Sequence, residues 1–255
     1  MELQSAPLIG MLHLPNVTAV SLDEIIEFSV HESGVLQDSG FDGIMIENFN
    51  DVPFAKEMIR QDRFATISVI AHEVKKQTTI PIGINLLRNA CKQSLYLCVA
   101  LDLDFMRCNI WESAYVTDQG IINGAAYEVS ELKQSLASKS LIFADIMVKH
   151  AYPLGNFTLL DAAKNALDRG GADKIIISGS ETGKPPEPSI LDPLNQYNIY
   201  PIIGSGLNLE NMESFHGKIG GAIIGTSIKF NKKVSNNINP NLAREIVEKW
   251  GKLFK

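Results

Sequence analysis

The chain of 255 residues carries 45% hydrophobic and 20% charged residues, the balance of a globular protein with enough apolar surface for a large core, which excludes a disordered chain. Its net charge of -6 comes without long runs of either sign, so nothing resembles the basic stripe that nucleic-acid binding needs. Residues 1–14 lack the basic start and long apolar stretch of a signal peptide, no run approaches about 18 apolar residues, and Cys91, Cys98 and Cys108 are too few, and wrongly spaced, for a disulfide framework, so a cytoplasmic protein with free thiols and no membrane partner is expected.

In chain order, short apolar runs predict strands at 7–14, 41–48, 80–87, 104–111, 140–150, 174–179, 200–206 and 221–227. Helical spacing or helix-start chemistry predicts helices at 21–39, 63–77, 91–100, 124–138, 158–169, 207–215 and 240–250, while the sixth connection, 180–198, is weakly patterned. Alternating β and α elements imply a parallel sheet with right-handed crossovers, and eight of them favour closure into a (β/α)8 TIM barrel. The length agrees with the roughly 250 residues typical of that fold. No Gly-x-Gly-x-x-Gly follows the first strand, which argues against an open dinucleotide-binding sheet. No linker is visible, so one domain over 1–255 is expected.

Side chains of a barrel strand alternate between the interior and the helices. In the fifth strand Ile142, Ala144, Ile146 and Val148 form a continuous apolar set that should face the helices, which turns Leu141, Phe143, Asp145, Met147 and Lys149 inward. The same logic turns Phe105, Arg107 and Asn109 inward in the fourth strand, Gly83 and Asn85 in the third, Met45 and Glu47 in the second, and Met11 and His13 in the first. With Ser178 of the sixth strand, the polar members converge at the carboxyl end of the barrel, where barrel enzymes do their chemistry. Some of these groups could merely satisfy one another, but burying the whole set is costly without a ligand or a dense hydrogen-bond network.

The seventh strand ends in Gly204-Ser205-Gly206 and the eighth in Gly225-Thr226-Ser227. Loops after these two strands often bind phosphate, because glycine admits the backbone to the anion and small hydroxyls add donors. A small phosphorylated metabolite is therefore the expected partner. His13, Asn85, Arg107, Asn109 and Ser178 are the candidate substrate contacts, and Glu47, Asp118, Asp145 and Lys149 the candidate catalytic groups. Carboxylates at 47, 118 and 145 suit acid–base work. Lys149 either forms a Schiff base with a carbonyl substrate or, the preferred reading, pairs with Asp145, Glu47 or a substrate phosphate. Alternation turns His150 toward the helices. No His-x-x-x-His type motif supports a metal; a divalent ion is a minority alternative, and no cofactor is assigned. Segments 112–123 and 180–188 are candidate lids or simple surface loops.

Val116-Thr117-Asp118-Gln119-Gly120-Ile121-Ile122 and Val148-Lys149-His150-Ala151 go beyond a generic barrel. With 9–14, 46–49, 85–89 and the two glycine motifs, they make the chain resemble the BtpA family over nearly its full length. That family takes its name from a cyanobacterial photosystem I biogenesis protein and includes SgcQ-like bacterial proteins. The resemblance implies a ribulose-phosphate-binding type of barrel but no particular reaction. Two departures, at 15–19 where a Leu-Pro-Gly-Ser-Pro type loop is common and at Ala90 where Asp is expected, imply that substrate details differ. A non-enzymatic assembly or regulatory factor on a barrel scaffold is the alternative, and a homo-oligomer fits either reading.

Overall fold

The computed structural model describes residues 3, 6–148, 151–179 and 184–255. In chain order the first half runs β1 (Leu8–His13), α1 (Leu22–Ser39), β2 (Gly43–Glu47), α2 (Gln61–Gln77), β3 (Ile82–Asn85), α3 (Cys91–Leu101), β4 (Phe105–Cys108), β5 (Ala114–Thr117) and β6 (Gly120–Asn123). The second runs α4 (Ala126–Ser135), β7 (Leu141–Asp145), β8 (Ala151–Pro153), α5 (Leu159–Lys164), β9 (Lys174–Ile177), α6 (Asp192–Asn195), β10 (Ile202–Ile203), β11 (Gly221–Ile224) and α7 (Pro240–Phe254). Eight of these strands close a parallel barrel in the order β1-β11-β10-β9-β7-β4-β3-β2, so the fold is the (β/α)8 barrel.

The alternation of side chains organises two apolar layers. Ile142, Ala144 and Ile146, with Met106, Cys108, Ile82, Ile84 and Leu86, lie in the large core between strands and helices. Met11, Met45, Phe105, Phe143, Ile176 and Ile223 belong to a second cluster inside the barrel. There Phe105 and Phe143 stack with ring centroids 5.0 Å apart, and Gly83 is the space Phe105 needs: a Cβ at 83 would lie 2.1 Å from its ring. This plug closes the barrel interior beneath the polar residues. Strand register then aligns those residues, His13 opposite Glu47 and Glu47 opposite Asn85, while Asn85 and Arg107 each lie two residues beyond the Gly83–Phe105 pair.

Helix ends follow local chemistry. Ser21 and Glu24 form a reciprocal capping box on α1, which ends at Gly40 in the left-handed region (φ 93°). Thr158 and Asp161 form the same box on α5, and Asn239 caps α7 ahead of Pro240.

Several expectations are corrected. The helix expected at 207–215 is a set of turns with one 3-10 turn, Met212–Phe215. Its side chains compete for the backbone: Asn208 Oδ1 accepts from the N–H groups of Glu210 and Asn211, and Asn211 Oδ1 accepts from that of Asn208. The strand expected at 140–150 stops at Asp145, so Met147 does not point inward; it has φ 51° and is exposed. Val148 packs not on the helices but with Ile110, Tyr115 and Ile122 in a separate cluster. Segment 112–123 is no irregular loop. It forms the β5–β6 hairpin, which β8 extends into a three-stranded antiparallel sheet. Finally, the thiols are not all free: Cys91 and Cys108 form a disulfide, with Cα atoms 5.5 Å apart. A separation of 17 residues hides that a strand end and the preceding helix start are neighbours in this fold. Free thiols therefore cannot support a cytoplasmic location. Among the described residues, no helix is long and apolar enough to cross a membrane.

Candidate functional site at the barrel mouth

Above the Phe105–Phe143 plug the buried polar residues form one network. Arg107, from β4, makes a two-pronged ion pair with Asp145, at the end of β7: Nε to Oδ1 and Nη2 to Oδ2, both 2.8 Å. Its Nη1 lies 4.0 Å from Glu47 Oε1. Asn85 Nδ2 donates to the same Glu47 oxygen at 2.6 Å, Asn109 Nδ2 donates to Asp145 Oδ2 at 3.0 Å, and His13 Nε2 is 3.7 Å from Glu47 Oε2. All six residues are buried. Burial works against the Arg107 charge, but Asp145 and then Glu47 outweigh it and hold the guanidinium above its ordinary pKa. The network still has open valences. With both Nδ2 groups committed to carboxylates, Asn85 Oδ1 and Asn109 Oδ1 accept no hydrogen bond among the described residues.

Over this floor lies a cavity of about 430 Å³. His13, Glu47, Arg107 and Asn109 line it together with Gly204, Ser205, Gly206, Gly225, Thr226 and Ser227. Asn85 and Asp145 are absent from the lining; they hold Glu47 and Arg107 in place. Ser178, half-buried beyond β9, is next to Gly204, whose added Cβ would lie 2.7 Å from Ser178 Oγ. Asp118 is exposed at the turn of the β5–β6 hairpin, bonded by Gln119 Nε2 at 2.6 Å, and does not line the cavity. Lys149 and His150 lie outside the described residues, as do 180–183 of the second candidate lid.

The glycines have structural duties beyond ligand access. A Cβ at Gly225 would lie 2.8 Å from His13 Cε1, and one at Gly204 would lie 2.5 Å from Ile176. Gly206, at φ 83°, packs so closely on the backbone of Lys184 and Pro185 that a Cβ would approach to 2.1 Å. Glycine is required at 206 whether or not an anion binds. Ser227 Oγ donates to Leu207 O at 2.9 Å and so ties the two loops together.

Sequence reasoning missed Phe49, Phe54, Leu87, Arg88 and Lys232 in the lining. Arg88 was findable, as a cation just past the carboxyl end of β3. Burial lowers its pKa, opposed by the carboxylates of Asp145, Asp118 and Glu47. Phe54 and Lys232 sit in connections whose path no local pattern reveals. Among the described residues no three His, Cys, Asp or Glu side chains are grouped to hold a metal ion.

Among solved structures, the fold is similar to one described as native KDPGal, with a TM-score of 0.62 and 15% identity over 98% of this chain and 97% of that one. It is also similar to N-acetylmannosamine-6-phosphate 2-epimerase from Clostridium perfringens, with a TM-score of 0.54 and 14% identity over 97% and 93%. By sequence, an uncharacterised protein of Methanocaldococcus jannaschii is 40% identical over 97% of this chain and 96% of its own length. The photosystem I biogenesis protein BtpA of Synechocystis is 34% identical over 95% and 87%. The sequence model of the BtpA family matches residues 4–252, and the chain belongs to that family.

Proposed function

We propose that this protein is an enzyme that binds and transforms a small phosphorylated metabolite, a phosphosugar or nucleotide-like compound, at the carboxyl ends of the barrel strands. One observation carries the reading: the loops after β10 and β11 line the same cavity as Glu47, Arg107 and Asn109. The phosphate would lie against 204–206 and 225–227, with Lys232 supplying positive charge at the rim. The 6-phosphate in the epimerase's name supports a phosphorylated ligand for this kind of barrel.

Glu47, 3.7 Å from His13 Nε2, is the group best situated to move a proton at a bound substrate. Asp145 and Asn85 are positioning residues, acting through Arg107 and Glu47. Lys149 keeps its proposed role as a partner of carboxylate or phosphate, Ser178 as a ligand contact, and Asp118 as an acid–base group carried by the β5–β6 hairpin. A single-domain protein acting in the cytoplasm, as monomer or homo-oligomer, completes the proposal.

The test compares thermal stabilisation by phosphorylated sugars and nucleotides with that by their dephosphorylated forms. A phosphorylated ligand at a hundred times its Kd should stabilise by about 2.7 kcal/mol, and its dephosphorylated form at the same concentration by far less. Equal effects would reject the phosphate site. Once a substrate is found, Glu47→Gln should lower kcat by about 100-fold or more. The name of the Synechocystis relative favours a second reading, an assembly factor; a protein stabilised by no small molecule would support it.

A further inference from the structure

The cavity has a second half that a bare phosphosugar would leave unfilled. Its volume of about 430 Å³ falls within the range of about 300–1,000 Å³ typical of sites for drug-sized ligands. The glycine loops follow β10 and β11, on one side of β1 in the barrel order; on the other side, the connections after β2 and β3 contribute Phe49, Phe54 and Leu87 to the lining. His13, at the end of β1, joins the halves. It abuts Gly225 on one side and meets Phe49 edge-on at 5.1 Å on the other. Asn109 also lines the cavity, with its Nδ2 committed to Asp145.

Resting on the phosphate-site reading above, we propose that the ligand is a sugar phosphate bearing a flat aromatic or heteroaromatic group. The phosphate lies over the glycine loops and the ring packs on Phe49 and Phe54. Half-buried phenyl rings at a cavity wall favour a planar π-system over an aliphatic chain because offset or edge contacts add to the area buried. A nucleobase or an aryl group has this chemistry.

Calorimetric titration of the full chain with ribose 5-phosphate, AMP, UMP and adenosine tests the idea. Stacking on aromatic side chains predicts that a nucleotide binds about tenfold or more tightly than ribose 5-phosphate. Phe54→Leu, with folding checked by its melting temperature, should bring that ratio to within about threefold of one. A ratio near one in the unsubstituted protein overturns the proposal, as does a ratio that survives Phe54→Leu, or no nucleotide binding at millimolar concentration. Adenosine binding as tightly as AMP would instead sink the phosphate-site reading, while a ratio that still depended on Phe54 would leave the aromatic wall standing.

Discussion

Two buried ion pairs in this protein differ in what surrounds them. Lys229 and Glu32, 1% and 0% exposed, are sealed where the segment after β11 meets α1; their charged atoms are 4.0 Å apart, Glu32 Oε2 accepts the Ile238 N–H, and Lys229 Nζ donates to Asn236 O. Arg107 and Asp145, 4% and 5% exposed, are also buried, yet their pair is two-pronged and Arg107 opens on a cavity. The electrostatics diverge accordingly. Burial pushes the Lys229 ammonium below its ordinary pKa despite Glu32, whereas at Arg107 the carboxylates prevail over burial. Buried charge by itself therefore marks a clasp as readily as a site. What distinguishes the mouth is the conjunction of buried charge with a cavity, since Glu32 Oε1 in the clasp is also a buried acceptor without a hydrogen bond among the described residues.

The largest expected effect tests the clasp. Glu32→Ala leaves Lys229 buried without its partner and should lose about 3–5 kcal/mol of stability in urea unfolding, while Glu32→Met with Lys229→Met should recover most of that loss. Ligand affinity of the folded fraction should not change in the double variant. A loss of affinity there would mean that the clasp also shapes the mouth.

The Cys91–Cys108 bridge comes next, because Cys108 sits between Arg107 and Asn109 and Cys91 follows the Leu87–Arg88 turn. Reduction, or Cys91→Ala with Cys108→Ala, should cost about 3 kcal/mol for a closed loop of this size. Thiol titration provides the check. The chain has three cysteines, so denatured protein should show one thiol unreduced and three after reduction. Burial raises the Cys98 thiol to about 12, so the native protein should resist alkylation near neutral pH. Three thiols without reductant would remove the bridge.

A smaller stability effect, with a larger binding effect, is expected of Asp145→Asn. Replacing a charge-assisted two-pronged contact should cost about 1.5–3 kcal/mol, and mis-aiming Arg107 should weaken ligand binding about tenfold. Unaltered binding would make this pair a second clasp and dissolve the contrast.

Local pattern carried most of the barrel. The strand beginning β1, the capping residues Ser21 and Thr158, and the apolar rows Ile82-Ile84-Leu86 and Ile142-Ala144-Ile146 are readable because strand period and cap chemistry are short-range. Alternation then turned His13, Glu47, Asn85, Arg107 and Asn109 inward, since a residue two positions along a strand shares its face. At 207–215 apolar spacing misled, because it cannot weigh asparagine side chains that bond their own backbone.

From the sequence alone came the eightfold alternation, the inward polar rows and the glycines at the ends of the last two strands. Tertiary structure decided which of those groups meet: that Asp145 holds Arg107, that Gly206 serves the packing of Lys184 and Pro185, that Cys91 joins Cys108, and that Phe49 and Phe54 wall the cavity. The physical reason is range. Periodicity and caps act within a few residues, whereas an ion pair spanning 38 positions or a wall built from a connecting loop exists only once the barrel has closed.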